Sequence, residues 1–137
     1  MTVRIHISDG PLPAHPEPRN ESIDCGAAGA LVCFEGIVRE LEQGHRVVAL
    51  DYEVYEPMAT RELQRLAEEL ARSAGLLALS VEHSRGRVPV GKCAFRLRVA
   101  SQHRAAALHA VAAFIDRLKQ DVPIWKHPVY AEGSEPA

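Results

Sequence analysis

A proline fixes the end of the most informative segment of this chain. From His103 to Lys126 the residues run HRAAALHAVAAFIDRLKQDVPIWK. Leu108, Val111, Ala112, Ile115 and Leu118 recur at helical spacing, which predicts an amphipathic helix with one buried stripe. Ser101 is the expected N-cap, and Pro123 forbids continuation beyond about Asp121. His103 and Arg104 stand at the start of this helix, Lys119 in its last turn, and Lys126 on a short rigid tail after it. A helix start ordinarily prefers anions, so cationic groups there point to anion binding rather than helix stabilisation. Arg104 and Lys119 are fifteen residues apart, about 22 Å along a helix rising 1.5 Å per residue. They cannot grip one small ligand from the same chain. Either they line a long groove, or two chains pair antiparallel so that one helix start faces the other's helix end, the arrangement favoured here.

The rest of the chain reads as scaffold. Val3 to Ile7 suits an edge strand, and Gly10 to Asn20, with Pro11, Pro13, Pro16 and Pro18, an irregular and mobile connector. Glu21 to Cys25 has room for one helical turn. Gly29 to Arg39 is a strand with Val32, Phe34 and Val38 on one face, and Glu42-Gln43-Gly44 a hairpin turn leading to a strand from Val47 to Tyr55. Pro57 opens a helix whose buried stripe is Ala59, Leu63, Leu66, Ala67, Leu70, Ala71 and Ala74, and Gly75 caps it. Leu76 to His83 is a strand, Ser84 to Gly91 a loop, and Cys93 to Ala100 a strand with Phe95, Leu97 and Val99 inward and Arg96 and Arg98 outward. The predicted order, β-β-β-α-β-β-α, lacks strict βα alternation and indicates an α+β domain.

The 137 residues suffice for one domain spanning 1–137, with a Pro-rich loop at about 10–20 and a short tail at 128–137. A net charge of −2 supplies no global field for nucleic acid. Basic character is local: residues 103–127 hold four Lys/Arg (Arg104, Arg117, Lys119, Lys126) against two acids. No apolar run is long enough for a bilayer, and no basic-then-apolar leader opens the chain. Three cysteines, Cys25, Cys33 and Cys93, without CxxC spacing suit a reduced cytoplasmic protein and inert buried thiols.

Lys119 and Lys126 are the pair with most chemical promise. If Val122-Pro123-Ile124-Trp125 folds the chain back, two ammonium groups share one site. That suits general acid–base or nucleophile use, binding of a phosphate or carboxylate, and oxyanion stabilisation. On spacing alone, two solvated lysines near a helix end remain the plainer description. Arg39 closes a strand beside the hairpin and reads first as a surface charge. Phe34 and Trp125 offer flat surfaces to a heterocycle, though core packing explains them more simply. The seven histidines show no HxH or HxxxH spacing, so no metal site is expected.

Joined in order, these pieces resemble the large, catalytic subunit of molybdopterin synthase. The matching residues are Gly29-Ala30, Phe34, Gly36 and Val38-Arg39; Tyr52-Glu53-x-Tyr55 with Met58-Ala59; Gly86 and Gly91; His103-Arg104; and Ile115-Asp116-x-Leu118-Lys119 running into Val122-Pro123-Ile124-Trp125-Lys126. The likeness covers about residues 29 to 126, and the joined pattern HR…IDxLKxxVPIWK is specific. The resemblance implies an α/β-hammerhead-type fold of mixed and antiparallel strands with two main helices. It implies a homodimer at the centre of a heterotetramer, each chain binding a small ubiquitin-like sulfur carrier whose Gly-Gly C-terminus enters the pocket as a thiocarboxylate. The implied reaction is sulfurtransferase chemistry: sulfur passes to cyclic pyranopterin monophosphate to form the molybdopterin dithiolene, with no cofactor or metal. By the same resemblance Lys119 is the principal catalytic lysine and Lys126 its assistant. Arg39 lines the pocket, His103 and Arg104 bind anionic groups, Phe34 belongs to the substrate-binding set, and the pocket draws on both chains. The alternatives are a non-catalytic homologue that only binds the carrier tail, and a persulfide route through a cysteine.

Overall fold

The computed structural model describes residues 1–13 and 26–137. The elements are β1 (Thr2–Asp9), β2 (Ala30–Ile37), β3 (Leu41–Glu42), β4 (His45–Val54), α1 (Met58–Ser73), β5 (Ala78–Pro89), β6 (Cys93–Ser101), α2 (Arg104–Asp121) and β7 (Ile124–Tyr130). The expected one-turn helix at Glu21–Cys25, Cys25 itself and most of the Pro-rich connector lie outside the described residues. Where that connector begins it is pinned: Leu12 is buried and its N–H donates to the Cys93 carbonyl at 2.9 Å.

The strands join in one seven-stranded sheet, ordered β2-β6-β5-β4-β3, with β1 added on β5 and β7 on β4. The β1–β5 ladder is parallel and every other ladder antiparallel. Strand β5 organises the sheet. Its first half, Ala78 to His83, pairs with β6, and its second half, Gly86 to Pro89, pairs with β4. The loop expected at Ser84–Gly91 is therefore mostly strand. Gly86 reads as a breaker, yet its positive φ of 84° sits within β5 where the pairing passes from one neighbour to the other. Val88 beyond it is fully buried, and Arg87 clasps its cross-strand partner Asp51.

Two apolar clusters result. The larger places α1 and α2 on the sheet, around Leu63, Leu66, Leu79, Leu97 and Phe114. The smaller joins Val38, Leu50, Val88 and Ala94. Helix α1 buries the stripe its spacing predicts, except that Ala74 is only partly covered. Its end is a Schellman closure: Gly75, at φ 64°, donates to the Arg72 carbonyl at 3.3 Å, and Leu76 to that of Ala71 at 2.9 Å.

Helix α2 departs from expectation. It buries Ala107, Ala110, Val111 and Phe114, while Leu108 and Ala112 face outward. Small alanines let the helix lie close to α1 and the sheet, so the stripe is set by shape rather than by the largest aliphatic side chains. The residue capping α2 is His103, in extended conformation and without a side-chain cap bond. Ser101 is buried, and its hydroxyl donates to the His103 carbonyl.

Two further corrections concern the sheet. Arg96 does not point into solvent: it is 2% exposed. It donates to Glu35 and Glu82 at 2.8 Å each and to the Pro13 carbonyl. Residues after Val122 form strand β7, and the tail beyond it docks back, with Ala131 N–H on the Arg46 carbonyl at 2.9 Å and His45 Nδ1 3.1 Å from the Ser134 carbonyl oxygen. No helix among the described residues is long and apolar enough to cross a membrane.

Candidate active site

Where the two apolar clusters meet, the surface opens into a cleft of about 600 Å³. Helix α2 and all strands but β1 present residues to it, the helix and the paired strands at the period each geometry dictates. Helix α2 supplies Ile115, Leu118 and Lys119, spaced i, i+3, i+4 on one face. Strand β7 supplies Ile124 and Lys126, and β4 supplies Leu50 and Tyr52, each pair two residues apart. From β2 and the segment after it come Phe34, Glu35 and Arg39, and from β3 comes Glu42.

The short reversal after α2 brings the two lysines to one cavity. Val122 N–H still bonds the Leu118 carbonyl at 3.2 Å, Pro123 ends the helix, and Tyr55 N–H takes the Pro123 carbonyl at 3.1 Å. The chain then runs antiparallel to β4, with Lys126 opposite Tyr52. Arg39 is positioned by its neighbour: Val38 is buried and held by bonds to Lys92 and Gly91 across a narrow loop.

The charges in the cleft are unequal. Lys126 Nζ lies 2.7 Å from Glu42 Oε1. Lys119 and Arg39 have no ion-pair partner among the described residues. Glu35 is paired with Arg96, its neighbour across the β2–β6 ladder. On the floor, the buried His83 ring meets Tyr52 edge-on at 5.2 Å and Phe95 at 5.8 Å. Burial holds its imidazole below the ordinary 6.5, against a 2.7 Å contact of Nδ1 with the Ser84 carbonyl. Burial also pushes the Tyr52 phenol up, aided by the Glu42 charge.

Of the residues singled out from sequence, Phe34, Arg39, Lys119 and Lys126 line this cleft. His103 and Arg104 do not; both are exposed at the far end of α2. Core packing does not account for Phe34, which is 38% exposed, or for Trp125, which is 50% exposed and outside the cleft. Of the two described cysteines, buried thiol fits Cys93 and not Cys33: burial and a nearby Glu35 push the Cys93 thiol up to about 11, whereas Cys33 is exposed on β2. Sequence reasoning missed Glu42, His83 and Glu35. For Glu42 a signal existed, because a residue flanking a tight hairpin is delivered at a fixed position. For His83 and Glu35 there was none, since their place depends on the long-range pairing of β5 and β2 with β6.

A family model described as MoaE protein matches residues 13–121. The chain belongs to the MoaE family. Relatives within reach carry the name molybdopterin synthase catalytic subunit. One from Culex quinquefasciatus is 41% identical over 115 residues, covering 83% of this chain and 73% of that protein. One from Homo sapiens is 40% identical over 77% of this chain and 56% of its own length. One from Bacillus subtilis is 36% identical over 90% of this chain and 78% of its own length. The MoaE fold is equally clear in coordinates. A crystal structure of molybdopterin synthase from Staphylococcus aureus superposes with a TM-score of 0.77 at 30% identity, covering 95% of this chain and 93% of that one. A complex of subunits 1 and 2 of the molybdopterin-converting factor from Helicobacter pylori gives 0.72 at 27% identity over 96% and 93%.

Proposed function

We propose that this chain is the catalytic subunit of a molybdopterin synthase. It takes sulfur from the thiocarboxylated C-terminus of a small ubiquitin-like partner and transfers it to cyclic pyranopterin monophosphate. The observation that carries the reading is the convergence of Arg39, Lys119 and Lys126, from three separate segments of the chain, on one cleft in a MoaE family member. Sulfur transfer to a phosphate-bearing substrate passes through tetrahedral species with growing negative charge, and fixed cations in a partly water-excluded cleft stabilise that charge selectively. Lys119, free of an internal acid among the described residues, is the group for the reacting centre. Lys126 and Arg39 hold the anionic tail or phosphate, and the exposed edge of Phe34 offers a face to the pterin. A cytoplasmic setting fits thiols such as Cys33 and Cys93 that stand free.

We further propose a two-fold pairing in which His103 and Arg104 of one protomer complete the partner's cleft. Their position at the uncapped start of α2, with no acid in its first turn, supports this. The test of the function is reconstitution with thiocarboxylated carrier and pterin precursor. Lys119→Ala should lower product formation by at least a hundredfold while carrier binding, followed by titration, stays within about threefold. Full turnover in that variant would remove the reading.

A further inference from the structure

The cleft already contains a carboxylate of its own. We propose that Glu42 is a built-in competitor for the anion site of Lys126, so that an anionic group entering the cleft has to displace it. This deepens the function proposed above and rests on it only for the identity of the physiological anion.

The argument starts from charge. The cleft is lined by three cations, Arg39, Lys119 and Lys126, and by two carboxylates, Glu35 and Glu42. Glu35 is paired with its cross-strand neighbour Arg96 at 2.8 Å. Glu42 pairs with a cation of the cleft itself, at 2.7 Å. Its backbone is fixed. It pairs with His45 across the turn, where Gln43 and Gly44 take positive φ of 50° and 83°. Val47 N–H closes the hairpin on the Glu40 carbonyl at 2.9 Å. The acid is thus delivered from a rigid stem, and its side chain is 17% exposed while that of Lys126 is 52% exposed. An anion from solvent therefore meets an ammonium whose inner side is already engaged, and has to displace the Glu42 carboxylate to take that side.

A carboxylate in that position acts in both directions. It lowers affinity for any phosphate or carboxylate at Lys126, and it re-forms its ion pair as such a group departs. A site that must release one spent carboxylate tail before accepting the next gains from an internal group of the same chemistry. An ion pair of this exposure is worth about two- to fivefold in an equilibrium.

Inorganic phosphate is the probe, titrated calorimetrically at low ionic strength into wild type, Glu42→Gln, Lys126→Gln and the double variant. Glu42→Gln should bind phosphate about three- to fivefold more tightly, and the same change should have no effect in the Lys126→Gln background. Unchanged or weaker binding in Glu42→Gln overturns the proposal, as does equal tightening without Lys126. Should Glu42→Gln fail to fold, Glu42→Asp, which withdraws the acid by one methylene, should tighten binding by a smaller factor; no tightening there overturns it as well. Sulfur transfer by the same proteins is scored apart. Phosphate tightening with no turnover even in wild type would remove the function and leave the role of Glu42 standing. Normal turnover without tightening would remove this inference alone.

Discussion

His83 and Arg96 are two polar residues that the fold buries in opposite ways. His83 is kept neutral by burial among Tyr52 and Phe95, so its folded pKa lies below 6.5. Between the folded value and 6.5 the unfolded chain binds more protons than the native one, so stability falls as pH drops through that window. Urea midpoints for wild type should therefore decline from pH 7.5 to pH 5.5, and His83→Gln should flatten the decline; parallel slopes in both proteins would show the effect lies elsewhere. Arg96 is kept charged instead, by Glu35 and Glu82. Arg96→Met leaves both carboxylates facing a methylene chain. Because water still reaches each of them, the cost should fall near the low end for a broken buried pair, about 3 kcal/mol in urea unfolding. A loss under about 1 kcal/mol would mean the pairs only offset their own desolvation. Neither residue was legible in the sequence. Alternation correctly turned Phe95, Leu97 and Val99 inward, but it assumes that the opposite face of β6 meets solvent. Here Glu35, Glu82 and the Leu12–Pro13 segment cover it.

Elements were legible where one local rule sufficed. The Glu42-Gln43-Gly44 turn, the α1 stripe with its Gly75 closure, and the end of α2 before Pro123 each follow from dihedral preference or periodicity. Strand β7 was not legible: IWKHPVY neither alternates nor avoids proline. It exists because β4 offers a free edge, and an edge strand tolerates Pro128. The site was half legible for the same reason. Lys119 belongs to a helix visible in the sequence, while the direction of Lys126 depends on β7. The start of α2 also depends on a close approach that only the fold reveals. A Cβ at Gly29 would overlap the Gln102 carbonyl oxygen just before the helix, and the backbone N–H there bonds the Ser101 carbonyl at 3.0 Å. Gly29→Ala must push β2 and the β6–α2 junction apart. We expect a loss of about 2 kcal/mol, in the upper range for single substitutions, read as a lowered melting temperature. An unchanged melting temperature would show that the junction gives way freely.

At the scale of the whole molecule, the length of α2 decides what one chain is able to do. Arg104 and Lys119 bound this helix at opposite ends, about 22 Å apart, and only Lys119 reaches the cleft of its own chain. In a two-fold pair, each site would combine Lys119 of one protomer with Arg104 of the other. This arrangement makes a numerical prediction that a self-contained site does not. Take Lys119→Ala and Arg104→Ala, each inactive alone, then unfold and refold them together in equal amounts. Random pairing puts half of the molecules into mixed dimers. Within a mixed dimer, one site lacks both groups. The other joins the intact Lys119 of the Arg104→Ala chain to the intact Arg104 of the Lys119→Ala chain. Half of the sites in half of the dimers are then whole, so sulfur transfer should recover to about a quarter of the wild-type rate. If both groups served the same chain, every site in the mixture would carry one lesion and the rate would stay at the mean of the two variants. Recovery to about a quarter requires a second chain at the reacting centre, while a flat result confines the chemistry to the single-chain cleft of Arg39, Lys119 and Lys126.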